Sequence, residues 1–221
     1  MLSVVRPNVG KLIQDGAGVL KPADVDFHIG EAVNRYSRAM PRLVVADVAG
    51  TGAFDYALPA PWSDLFSAIA FVEYPAGQRE PTFVDRLDWT LYRLPASLVL
   101  RFLTDTPKVG ETIRLTFTAP HTMVENSTTV PASDFPVINA LAAALCCESL
   151  ASHYSNVGDN TIAADSVDHR SKAQEYAARA KRFMALADGL LPQLKQDCEV
   201  RAAGAATSWG EGEGFLTHPE R

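Results

Sequence analysis

The hydrophobic period of this chain changes twice, and that change limits the fold more than any single residue does. Between 22 and 40, apolar side chains recur at helical spacing: Val25, Ile29, Ala32, Val33, Tyr36 and Met40. From 42 to 118 they recur at every second residue, and from 133 the helical spacing returns through Val137, Leu141, Ala144, Leu145 and Ala151. A period of 3.6 buries one stripe of a helix; a period of two buries one face of a strand. The chain is therefore α+β, a small antiparallel β-sandwich or barrel module inserted between an N-terminal helix and a C-terminal antiparallel helical hairpin, with extended termini.

Local signals set the boundaries. Pro22 and Asp24 start the first helix and Pro41 stops it. Gly30 inside it costs about 1 kcal/mol against alanine. Residues 43–48 and 53–58, separated by Gly50 and Gly52, read as a β-hairpin. Residues 65–74 form an apolar run, either a buried strand or a short helix leading into one. Three alternating segments follow, with Leu87, Trp89 and Leu91, then Leu98, Leu100 and Phe102, then Ile113, Leu115 and Phe117 on their apolar faces. Trp62, Phe66, Phe71, Trp89, Phe102 and Phe117 are assigned to the core.

The C-terminal half reads as two helices. Ser133 or Asp134 caps the first, with Pro136 in its opening turn, and it runs to about residue 155. Residues 156–160, NVGDN, connect it to a helix over 161–190 with the stripe Ala173, Tyr176, Ala177, Ala180, Phe183, Met184, Ala187, Leu190 and Leu191. So short a connector makes the pair antiparallel. The helical domain thus comprises 22–41 and 131–191, and the β-module 42–130. Residues 1–21, with no clear period and three glycines, read as an arm. Residues 192–221, beyond Pro192, read as a tail whose Trp209 and Phe215 are placed to dock on a neighbour.

Charge and cysteine usage exclude some functions. With 26 acidic and 20 basic residues the net charge is −6, without the basic footprint of a general nucleic-acid binder. Cys146 and Cys147 sit in an apolar run and Cys198 is alone, so they read as core thiols of a reducing compartment, not as a disulfide frame. The N-terminus lacks the long apolar segment of a signal peptide. The run 135–147 is too short to cross a bilayer. The expectation is a soluble protein with no membrane partner.

The richest cluster of chemical groups is in 162–183, IAADSVDHRSKAQEYAARAKRF. Asp165, Asp168, His169 and Lys172 share one helical face at i, i+3, i+4 and i+7. A metal-dependent or other hydrolase using Asp165, Asp168 and His169 is one reading. Zinc helices, however, carry two histidines at i, i+4, and Arg170, Lys172, Arg179, Lys181 and Arg182 crowd this stretch with positive charge. Acids early and bases late complement the helix dipole and allow Asp168–Lys172 and Glu175–Arg179 pairs. The stretch therefore reads as a solvated or subunit-contacting face. No G-x-S-x-G elbow is present, and the glycines at 50–52 and 210–214 lack phosphate-loop spacing. No catalytic, cofactor-binding or metal residue is assigned. A third reading makes the β-module a holder of a small ligand or glycan.

Residues 131–183 carry a more specific pattern: P-x-x-D-F-P-V-I-N-A-L-A-A-A-L-C-C-E-S-L-A-x-x-Y, then T-I-A-A-D-S-V-D-H-R-S-K-A-Q-E-Y-A-A-R-A-K-R-F. The LA-x-x-Y helix end followed by an ADSVD-x-R-S-K-x-x-x-Y helix resembles the head–tail connector, or neck adaptor, proteins of tailed bacteriophages. The β-part, with LTFTAPHTM before its loop, is similar to members carrying a sandwich insertion. The resemblance covers most of 22–190 and leaves both termini unplaced. It implies a structural virion protein without enzymatic activity or cofactor. Such a protein is assembled in the host cytoplasm as a ring, commonly twelvefold, between the portal and the downstream neck or tail protein. It implies that genomic DNA passes through the channel without sequence-specific binding. The surface implied for subunit or partner contact includes Asp165, Asp168, His169, Arg170, Lys172, Arg179, Arg182, Trp209 and Phe215.

Overall fold

The computed structural model describes residues 1–156 and 172–203, with side chains as far as residue 195. Four helices and six strands follow in the order α1 (Leu2–Ile13), α2 (Pro22–Ala39), β1 (Arg42–Ala49), β2 (Asp55–Ala57), β3 (Ile69–Glu73), β4 (Trp89–Arg93), β5 (Leu98–Phe102), β6 (Thr112–Ala119), α3 (Phe135–Asn156) and α4 (Lys172–Ala203). The fold is α+β, as the change of period requires.

The helices share one core centred on α3. Its Val137, Ile138, Leu141, Cys146, Cys147 and Leu150 are all buried, and α1, α2 and α4 each pack against it. Alanines at 140, 142 and 143 let those neighbours approach closely. Together with the preceding short turn, α3 forms a helix over Ala132–Asn156 that is long and apolar enough to cross a membrane, 56% of its most apolar window being buried inside the protein. The uninterrupted apolar segment is thus longer than the 135–147 run suggested. Near its end, Tyr154 stacks on Tyr176 in the first turns of α4 at 5.6 Å between ring centroids.

Both ends of the chain are more regular than expected. The first residues are not a loose arm: Val5, Val9 and Ile13 recur at i, i+4 and are buried against the helical core, which makes α1 a helix despite Gly10. Arg6 fastens it through two hydrogen bonds to Asp26, 2.7 and 2.9 Å, and one to Glu125. Nor does Pro192 end the last helix. It removes one backbone donor, but Leu190, Leu191 and Leu194 pack on the helical core on both sides of it, and α4 runs on to Ala203.

The β-module holds two three-stranded antiparallel sheets, β1-β6-β3 and β2-β5-β4. Both face one core, which includes Tyr56, Trp89, Leu100 and Phe102 from one sheet and Val72, Ile113, Leu115 and Phe117 from the other. Residues 43–58 do not form a hairpin. β1 pairs with β6, where Val44, Ala46 and Val48 lie opposite Phe117, Leu115 and Ile113, and β2 pairs with β5 in the other sheet. The glycines mark a crossing between sheets: Gly50 N–H donates to the Glu111 carbonyl, and Gly52 takes φ 78°.

Candidate assembly surface

A buried polar junction lies where the β-module meets the helices. On its helical side Tyr36 of α2 donates through its hydroxyl to Asp134, just before α3. Beside it, His121 follows the end of β6, its ring 5.1 Å from that of Tyr36. The His121 backbone N–H donates to the Ser37 hydroxyl at 2.9 Å, and Nδ1 lies 2.9 Å from the Thr129 carbonyl, which suits the Nδ1–H tautomer. Burial is the largest influence on His121 and lowers its pKa, with Arg42 pushing the same way and Asp134 opposing. This junction sets how the β-module sits on the helical core.

Outward from that junction, one face of the β1-β6-β3 sheet is left apolar. Register puts Leu43 opposite Thr118, Val45 opposite Thr116, and Thr116 opposite Phe71. Leu43, Val45 and Phe71 are 63%, 58% and 56% exposed, and Phe83, 59% exposed, packs beside Phe71. Farther along the face, Arg114 grips Asp47 through two hydrogen bonds, 2.8 and 3.0 Å, and reaches Glu73 at 3.7 Å. The guanidinium holds the Asp47 carboxyl below the usual carboxylate range. Half of the face is thus apolar and half a closed ion-pair strip. Elsewhere on the module, Leu65 is fully exposed in the left-handed region, φ 68°. Phe71 was expected in the core, but a bulge between Ile69 and Phe71 turns it outward. Leu87, expected on an inward phase, lies ahead of β4 and is exposed.

A cleft of about 760 Å³ lies between α2 and the loop before β3, lined by Phe27, His28, Arg35, Arg38 and Phe66 among others. It is outside the β-module's own core, so the module does not enclose it. Trp62 and Phe66 are half-buried, Trp62 packing on Phe117 at 5.6 Å. Trp89, Phe102 and Phe117 are buried as expected.

Asp165, Asp168, His169, Arg170, Trp209 and Phe215 lie outside the described residues. Of the other charged positions expected at a contact, Lys172 and Arg182 are exposed. The Lys172 ammonium sits 5.4 Å from the Tyr154 ring centroid. Arg179 turns inward to donate to the Ile13 carbonyl at the end of α1, 3.4 Å, and no Glu175–Arg179 ion pair forms among the described residues. Burial pushes the Cys146 and Cys147 thiols up to about 12 and about 11, which leaves both unreactive at neutral pH. Among the described residues, no three His, Cys, Asp or Glu side chains group to hold a metal. The apolar sheet face, which sequence reasoning missed, had one signal: Leu43 and Val45 are apolar on the strand phase opposite Val44 and Ala46.

No known protein family and no curated protein matches the sequence. Among the solved structures similar to it are three at 16% identity. One is a chain in the neck of an empty gene transfer agent particle, covering 78% of this chain and 87% of that one, with a TM-score of 0.31. Another is in the virion of a native gene transfer agent particle, with the same coverage and a TM-score of 0.30. A third is in the neck of a native particle computed with C12 symmetry, covering 70% and 81%, with a TM-score of 0.27.

Proposed function

We propose that this chain is a structural head-to-tail connector of a tailed phage-like particle, acting by protein–protein assembly and transforming no substrate. One observation of the structure supports it most: a β-module anchored to the helical core by a buried polar junction exposes an apolar sheet face. Solvated monomers expose scattered apolar residues, and a contiguous apolar face marks a contact surface. The helix-end and helix-start pattern of 131–183 supports the same reading through its resemblance to neck adaptors. The reading places the chain in the part of a particle from which the matched neck chains come.

In this account α3 and α4 form an antiparallel hairpin, the two sheets form a sandwich, and 22–41 with 131–191 is one helical domain. Copies close into a ring, twelvefold by the resemblance, bounded by a portal protein on one side and a downstream neck or tail protein on the other. Genomic DNA passes through an acidic channel without sequence-specific binding. Lys172, Arg179, Arg182 and the residues outside the described set, Asp165, Asp168, His169, Arg170, Trp209 and Phe215, belong to the contact-forming set. The test compares the mass of the purified chain with its copy number on purified particles. A monomer in solution that is multiplied on the particle supports the connector; a chain missing from particles contradicts it.

A further inference from the structure

We propose that neighbouring copies join side by side, strand β1 of one pairing with strand β4 of the next. The inference rests on the ring-forming role proposed above and names the joint. Each sheet has two edges, and the four edges differ. The outer edge of β3 is occupied: Val84 N–H donates to the Val72 carbonyl at 2.8 Å and Tyr74 N–H to the Thr82 carbonyl at 2.9 Å. β2 is only three residues long. That leaves β1 and β4. Among the described residues, no backbone group of 42–49 has a partner beyond the β6 ladder. On β4, beyond the β5 ladder, only the Trp89 carbonyl is engaged, accepting from Arg86 at 3.2 Å.

β1 has few of the usual protections of an edge. It is eight residues long, RLVVADVA, with no proline, no lysine and no bulge; its two charges are Arg42 at its start and Asp47, which is paired with Arg114, and Leu43 and Val45 stand exposed on it. Such an edge is a template for another strand. Its position matters as much. A crevice of about 210 Å³ is lined by Ala70, Phe71 and Val72 of β3 together with Trp89 of β4, so those two strands share one flank of the module. β1 lies at the far end of the β1-β6-β3 sheet, on the opposite flank. Two unlike edges on opposite flanks make a head-to-tail contact, which closes by rotation, where identical edges would stop at a pair.

Apolar surface matches across this joint, while the charges nearby are already paired within one copy, Asp47 with Arg114, Arg101 with Asp55 and Arg93 with Asp64. Beside β4, Leu87 and Leu103 are 83% and 53% exposed and would cover Leu43 and Val45.

Cysteine pairs on purified particles test the joint. Val45→Cys or Asp47→Cys is combined with Leu91→Cys or Arg93→Cys, so that neighbouring registers are sampled, and each single variant serves as control for folding and for the native thiols. Mild oxidation is expected to give, from at least one pair, a covalent ladder with rungs at multiples of 23.9 kDa, absent from every single variant. Particles that incorporate the paired variants in many copies yet give no ladder overturn the β1–β4 joint and leave the connector role standing. Folded variants, and the unaltered chain, missing from particles would overturn both.

Discussion

Replacing Gly50 by alanine gives the most direct test of how the two sheets are linked. A Cβ there would lie 2.3 Å from the Lys108 carbonyl oxygen and 2.9 Å from that of Glu111, both backbone atoms that cannot swing aside. The chain at this point is held by Gly50 N–H to the Glu111 carbonyl at 2.7 Å, Gly110 N–H to the Gly50 carbonyl at 3.3 Å, and Gly52 N–H to the Pro107 carbonyl at 2.9 Å. Relieving the clash must break or lengthen two or three of these. At about 1 kcal/mol each, the loss is about 2–3 kcal/mol. For a chain of this size that lowers the melting temperature by roughly 4–12 °C. Gly30→Ala provides the opposite sign: nothing lies within 4 Å of its Cβ position on α2, so it should stabilise by about 0.5–1 kcal/mol. Paired thermal melts by circular dichroism read both. A Gly50→Ala protein that melts with the parent would refute the crossing at 50–52.

Tyr36→Phe removes the buried donor to Asp134 and should cost about 1–3 kcal/mol in a denaturant titration; an unchanged midpoint would show that this bond does not hold α2 against the turn before α3. His121, with its folded pKa held below the usual 6.5 mainly by burial, takes up protons more readily when unfolded. Stability from this group is therefore complete above pH 6.5 and falls as pH drops from there toward the folded pKa; His121→Gln should flatten that part of a stability-against-pH curve, and an unflattened curve would count against it. In a Cys198→Ser background, the two buried thiols should resist a thiol reagent at mildly alkaline pH until denaturant is added, because burial holds both in the protonated form. Rapid labelling of the folded protein would contradict their place in the core.

Much of the architecture was legible from periodicity. α2 and α3 were visible as stripes bounded by Pro22, Pro41 and Pro136, and the three strands ending in 117 as alternations. Pairing was not legible, because a strand's pattern states which face is buried and not which neighbour it meets; Gly50 and Gly52 signalled a sharp change of path that fits a hairpin and a crossing equally. α1 was hidden because three buried residues, Val5, Val9 and Ile13, are a thin signal beside glycines. α4 outran Pro192 because tertiary packing of Leu194 outweighs one lost hydrogen bond. The contact surface was the least legible part. Leu43 and Val45 count as ordinary strand residues until the sheet order shows that nothing covers them, and Phe71 faces outward only because of a bulge that no motif announces.

Electron microscopy of purified particles from the native source tests the central claim most directly. The account predicts density for this chain as a closed ring of repeated copies at the neck, with the β-modules of adjacent copies in contact. Particles complete through head and tail but lacking the chain at that level would contradict it.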